Sequence, residues 1–457
     1  ADIGPRFGVA WQVAKNMVVR GGYGIFYGKT TNSSFYDTRV ENGVFQQTYN
    51  CNANFTAFTG STAPAACAPI FPNIIFPALG PPLAAPFAGA VTPKAVNTNP
   101  TASTIAFRGQ APDYLQPMVN EANLAVERQL PGDMSVSATY SFTRGQHLPV
   151  CTDGNLAAPT STITYNVIAG PFAPASTVTV PLFTSRLTTA NPIISVCRSI
   201  VHSLYNALIL TGKKQFSHGF EFMANYTYAH TLDDGQVLGD TGTFNGSSDA
   251  TLNPYNQQGE YGNSDYDQRQ RFVTSLLWSP RVQSDSRIVR DALNGFNFST
   301  IVTIASPLPQ NALLSSTVTP PGGIDGGVTG GVEQNASNAA GRAPNFEKNS
   351  YRGPTQIRDV DFRIGRDIIL FRERYKLQVF IEAFNLFNHR INTTVNTSAY
   401  SYVAPGGAYT NPAGVASVCP AGPSPCLNPA NSFLTPSATS NTLIGARQLQ
   451  ISGKFFF

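Results

Sequence analysis

Charge is what this sequence has least of. Only 12% of its 457 residues are Asp, Glu, Lys or Arg, about half the share of an ordinary soluble domain. Oil does not make up the deficit: 42% are hydrophobic, and no apolar run approaches the roughly 18 to 20 residues of a membrane-crossing helix. Helical insertion into a bilayer is thereby excluded. The opening ADIGPRFGVAW lacks a basic segment followed by an apolar one, so no secretory leader is expected. A net charge of +4, spread along the chain, speaks against a nucleic-acid partner. No Cys or His pair has zinc spacing, HExxH is missing, and the glycine-rich PPGGIDGGVTGGVEQN contains no GKS or GKT to cradle a phosphate. No enzymatic constellation is found and no cofactor is implied.

What the chain has in place of charge is aromatic alternation, with 30 Phe and 18 Tyr beside 39 Gly and 34 Pro. In FEFMANYTYA, Phe220, Phe222, Ala224, Tyr226 and Tyr228 alternate with Glu221, Met223, Asn225, Thr227 and Ala229. MSVSATYSF sets Met134, Val136, Ala138, Tyr140 and Phe142 against serines and threonine, and FNFSTIVTI does likewise from Phe296. A period of two marks strands with one apolar and one polar face. Eleven are expected, near 5–13, 17–27, 117–130, 134–144, 203–215, 219–231, 266–279, 294–305, 357–370, 374–388 and 441–457.

Their connections alternate between short (14–16, 131–133, near 217–219, 280–293, 371–374) and long (28–116, 145–202, 232–265, 306–356, 389–440). A soluble β-sandwich also alternates, but its strands are nearer five or six residues. Short turns on one side and long loops on the other are the habit of an outer-membrane barrel, whose strands turn aromatic-bordered apolar residues to lipid. The fold class is therefore all-β, an antiparallel transmembrane β-barrel in the bacterial outer membrane. With eleven strands the first and last run the same way, so they cannot close antiparallel. Bacterial single-chain barrels have even strand numbers, and the chain reads as the C-terminal part of a larger barrel.

PRFGVAW, VVRGGYGIFY, NLAVERQLPGDMSVSATYSFTRGQHL, YNALILTGKKQFSHGFEFMANYTYAHTLDD, DQRQRFVTSLLW, YKLQVFIEAFNLFNHR and the terminal aromatic together resemble the barrel of TonB-dependent outer-membrane receptors. The resemblance is narrower to the Oar-like type, which carries a carboxypeptidase-regulatory-like module. It implies that 1–457 is one partial barrel domain, contributing about 11 of 22 strands. It also implies an N-terminal plug filling the lumen and energy delivered through TonB, neither segment being present here. In LQISGKFFF, Leu449, Ile451, Gly453, Phe455 and Phe457 share a face; the resemblance implies that they are read by the barrel-assembly machinery, and the plainer reading is that they face lipid.

Two charge patterns alternate. DYDQRQR places Asp265, Asp267, Arg269 and Arg271 on one strand face, and DVDFRIGRD does the same with Asp359, Asp361, Arg363 and Asp367; Glu382 joins them from the next strand. A cation facing lipid at the midplane costs about 2–4 kcal/mol, so these faces are expected to point to the lumen, as a paired ladder or as contacts to plug or ligand. Six cysteines sit two to a loop, Cys51 and Cys67, Cys151 and Cys197, Cys419 and Cys426, none in an expected strand. That partition favours one disulfide per loop in an oxidising setting, with free or scrambled thiols as the alternative. Asp233, Asp234 and Asp240 lack the spacing of a calcium loop. The leading function is uptake, or export, of an unidentified solute. The alternatives are an outer-membrane anchor presenting its loops for surface interaction, and a passive porin.

Overall fold

The computed structural model describes residues 3–28, 107–188, 194–235, 252–286, 288–290, 294–315, 320–324, 341–370, 375–390, 392–439 and 445–457. Eleven strands form one antiparallel sheet in chain order: β1 (Arg6–Ala14), β2 (Met17–Tyr27), β3 (Met118–Leu130), β4 (Met134–Asp153), β5 (Ile194–Ser217), β6 (Phe220–Asp233), β7 (Gln270–Trp278), β8 (Phe296–Ala305), β9 (Ile357–Leu370), β10 (Tyr375–Phe384) and β11 (Gln448–Phe456). Each is bonded to the next, and β1 and β11 end the path with no strand partner on their outer sides among the described residues. Among the described residues helix is confined to single turns at Gln257–Glu260 and 288–290.

The turns after β3 and β5 are made where the chain takes positive φ, at Gly132 and Asp133 and at His218 and Gly219. Between β5 and β6 only His218 and Gly219 intervene, at φ 54° and 77°. Two positive φ values in a two-residue loop follow the right-handed twist of the strands it joins. Gly219 is required twice over, since a Cβ there would lie 2.4 Å from the Ser279 carbonyl oxygen.

The register carries one face unbroken across the sheet. Trp11, Val19, Val126, Ala138, Leu210, Tyr226, Phe272 and Ile304 are successive cross-strand partners. Nearer the short turns, Phe220, Trp278, Phe298, Ile364, Ile381 and Ile451 form a second such row. The alternate row, Gln12, Val18, Glu127, Ser137, Thr211, Asn225, Val273, Thr303 and Asp359, is mostly polar. Aromatic rings border the apolar band on the short-turn side: Trp278 stacks on Phe298 at 5.2 Å, Phe296 on Phe298 at 6.1 Å, and Tyr375 on Phe455 at 5.7 Å. Tyr23, Tyr140 and Tyr228 border it on the loop side. On β6 the step from Phe220 to Tyr228 is about 27 Å along the strand and about 20 Å in height at a tilt near 40°. That height fits within the roughly 25 Å apolar band of an outer-membrane barrel.

Several strand bounds differ from the sequence expectation, each for a local reason. β4 runs to Asp153, not 144, and β5 starts at Ile194, not 203. Register shifts between Gly145, Leu148 and Val150 break the alternation there while the pairing continues, as a β-bulge does. β7 begins at Gln270, four residues late, because 264–269 fold into a turn. β10 stops at Phe384, where Asn385 takes φ 48°.

The long connections are not structureless. Ser161–Val167 and Ser176–Leu182, Leu313–Leu314, and Ser398–Val403 with Cys426–Pro429 come from three different loops and form a five-stranded mixed sheet. Tyr165, Leu314, Tyr400, Leu427 and Phe433 are its buried centre, and Phe172 meets Phe433 edge-on at 4.8 Å. This cap lies beyond the apolar band, on the long-loop side.

Candidate functional site

The polar face of β6 to β10 holds a hollow of about 440 Å³. Its floor is low because Ser275 and Ser299 stand where longer side chains could fill it. Glu221, Asp361, Arg363 and Glu382 rise around it, with Leu277, Ile301 and Phe384 beside them. Glu221, Leu277, Ser299, Arg363 and Glu382 are cross-strand partners in one row. Arg363 Nε is 3.5 Å from Glu382 Oε1, and its guanidinium lies 3.7 Å above the Phe380 ring. Asp361 accepts a 3.0 Å hydrogen bond from the Asn385 amide. Glu221 has no ion-pair partner among the described residues, so the hollow keeps three carboxylates against one guanidinium.

The remaining DVDFRIGRD carboxylates divide. Asp367 is held by Lys376 at 2.7 Å and by Gln378 Nε2 at 2.7 Å, near the short turns. Asp359, at the loop end, has one buried oxygen without a partner among the described residues. Glu221 was legible only as a polar alternate of FEFMANYTYA; its place in the hollow depends on pairing with strands 50 residues and more away.

The four alternating charges of DYDQRQR do not share a strand face, contrary to the sequence expectation. Of its four charges only Arg271 lies in a strand, on the polar face; Asp265, Asp267 and Arg269 precede β7 in the turn. Asp267 is fully buried, and it is a clamp, not a rung of a lumen ladder. It accepts from Arg269 Nε at 2.8 Å, from the Thr231 amide at 2.8 Å and from Arg352. Burial alone would push this carboxyl up, but Arg269, the Thr231 N–H and Arg352 together hold it below the usual carboxylate range. Asp265 accepts from Asn349 Nδ2 at 2.6 Å. Asp267 thus ties the 341–353 segment to the mouth of β6 and β7.

Further buried pairs do the same work and had no signal in the sequence. Lys348 pairs with Asp233, and Arg342 with Glu260 at 2.8 Å. Asp153 takes Arg186 together with the amides of Asn155 and Ile194. Asp233 therefore serves Lys348; Asp240 lies outside the described residues. Among those residues no three His, Cys, Asp or Glu side chains gather as a metal ion requires.

Cys151 is bonded to Cys197, and Cys419 to Cys426. The first bridge is not in a loop: both cysteines lie in the extended parts of β4 and β5, directly opposite each other. Cys426 opens a short cap strand, so that of the four described cysteines only Cys419 lies outside a strand. Cys51 and Cys67 lie outside the described residues. At the C-terminus, Leu449, Ile451, Gly453 and Phe455 face outward with the apolar band, opposite Ala383, Ile381, Val379 and Leu377. Phe457 follows the last strand residue and stacks on Phe455 at 6.4 Å.

A strand wall with a continuous lipid-ready face, aromatic borders and a charged inner face defines a β-barrel of the bacterial outer membrane. The chain belongs to the family described as outer membrane beta barrel domain, whose model matches residues 1–418. No curated protein matches it. Among solved structures it is similar to the outer membrane transporter YddB of Escherichia coli, with 8% identity, a TM-score of 0.46, and coverage of 100% of this chain and 41% of that one. It is also similar to the FrpB iron transporter of Neisseria meningitidis (9%, 0.40, 100% and 39%) and to a mutant ferric enterobactin receptor of Pseudomonas aeruginosa (9%, 0.42, 99% and 40%). The chain spans about two fifths of the length of these proteins.

Proposed function

We propose that this wall belongs to a gated solute transporter of the TonB-dependent, Oar-like type, driven through a plug that seats against the polar face. The observation that carries the reading is the acidic hollow of Glu221, Asp361 and Glu382 beneath a folded cap. A porin wall needs hydration, but it gains nothing from a pocket with surplus carboxylates or from loops that build their own core. The hollow suits a cationic side chain of a plug, which would replace water at three acceptors. The unpaired outer sides of β1 and β11 support completion of the barrel by further strands, because no backbone group can stay unbonded in hydrocarbon. Both edges run the same way, so an odd number of strands is needed to complete an antiparallel ring. Leu449, Ile451, Gly453, Phe455 and Phe457 are proposed as the assembly signal as well as lipid contacts.

The test is solute uptake by cells carrying the whole natural gene, with and without TonB. Loss of uptake on TonB deletion is expected, and TonB-independent leakage would favour a porin. One observation favours a second reading, an anchor for surface interaction: the cap folds around a hydrophobic centre of its own. Surface binding that persists without any solute movement would support it.

A further inference from the structure

On the opposite, apolar face a groove of about 520 Å³ crosses β3 to β7. It exists because bulk is missing: Gly212, Ala224 and Ala138 form the floor, while Val126, Leu210, Tyr226 and Phe272 stand along it. Arg128 closes its short-turn end. This arginine shares the lipid face with Val136 and Gly212, its neighbours in register. It has no ion-pair or hydrogen-bond partner among the described residues. The nearby Glu127 points to the other face, 3.4 Å from Arg20. Lys214, also on the apolar face, is already turned to the Gly132 carbonyl at 3.1 Å and to Ser217. Across all eleven strands, between the short turns and the β4 bulge, the apolar face carries no Asp or Glu; its charges are Arg128, Lys214, Arg358 and Arg366, each toward a strand end, and Arg144 just before the bulge.

We propose that this groove binds one anionic glycerophospholipid of the periplasmic leaflet, an acyl chain lying over Gly212 and Ala224 and the phosphate on Arg128. Charge complementarity selects the occupant. A free guanidinium at interface height attracts a phosphate oxyanion, with which it makes two parallel hydrogen bonds. The absence of carboxylates on this face leaves nothing to compete for it. The small-residue floor gives a chain van der Waals contact that a smooth wall does not offer.

The experiment is native mass spectrometry of the whole natural protein in detergent, titrated with phosphatidylglycerol against phosphatidylcholine. One phosphatidylglycerol is expected to be retained in preference. Arg128→Gln should lower its apparent affinity about tenfold. Gly212→Leu should lower it comparably by filling the floor; a Cβ at Gly212 meets only the Phe222 ring, at 3.7 Å. Arg144→Gln, a cation at the far end of the same face, should leave it unchanged. Ala224→Leu replaces Gly212→Leu if that variant fails to show heat-modifiable gel mobility. Equal retention of the two lipids, an unchanged affinity in either the Arg128 or the groove-filling variant, or an equal loss in Arg144→Gln would each overturn the proposal.

Discussion

Asp267 shows how one buried carboxylate can hold two parts of this molecule together. Removing one partner of a buried pair leaves an uncompensated charge and costs about 3–5 kcal/mol, so Asp267, Asp233 and Glu260 each make the attachment of the 341–353 segment all-or-none. Because the carboxyl of Asp267 is held below its ordinary range, the folded state binds its proton less readily than the unfolded chain. Its stabilisation is therefore present above the ordinary carboxylate pKa of about 3.9 and is lost as pH falls through the lower folded value. Hydrogen exchange of 341–353 should stay slow at neutral pH and quicken only below about pH 4. In Asp267→Asn the same amides should already exchange faster at neutral pH, with a smaller acid step. Identical acid profiles in the two proteins would show that another group governs the clamp. Burial also raises the hydroxyl pKa of Tyr351 and Tyr400, keeping both neutral within the cap core.

Sidedness is decided strand by strand. Leu210 and Thr211 are adjacent in β5 and face opposite ways: Leu210 lies on the apolar row, while the Thr211 hydroxyl donates to Asn225 Oδ1 at 2.9 Å. Leu210→Arg should destabilise the barrel in lipid vesicles by about 2–4 kcal/mol, the cost of a midplane cation, and Thr211→Arg should cost far less; unfolding titrations compare them directly. Equal costs would mean that Leu210 does not face hydrocarbon. At the terminal element, deletion of Phe457 should lower the outer-membrane yield of the whole protein without changing its synthesis, as read by fractionation and immunoblotting. Undiminished yield would leave β11 with lipid contact alone. In β4 and β5 the Cys151–Cys197 bridge closes a separation of 46 residues, for which chain entropy gives about 4 kcal/mol. The 7-residue separation of Cys419 and Cys426 gives about 2 kcal/mol. The larger constraint thus sits where the strands leave the membrane and enter the cap.

For the whole molecule, the sequence by itself determined the wall. Period-two alternation is local, and it placed all eleven strands, in order, with the lipid face of FEFMANYTYA, MSVSATYSF and QISGKFFF readable residue by residue. The turns after β3 and β5 were legible for the same reason, since positive φ at Gly132 or Gly219 is a property of one or two residues. Alternation failed where a bulge changed its phase, at Gly145 to Val150, and where charges alternated without being in a strand, at Asp265 to Arg269. The tertiary structure alone decided the cap, because its sheet joins segments as distant as 161–167 and 426–429. No local pattern encodes which loop will supply the partner for a short edge. It alone also decided which charges pair: Lys348 finds Asp233 only after two strands and a loop have converged, and Glu221 and Glu382 share a hollow only because four cross-strand registers bring them into one row. Neighbours along the chain fix the pleat, whereas partners across space are fixed by the collective burial of surfaces that no single segment carries.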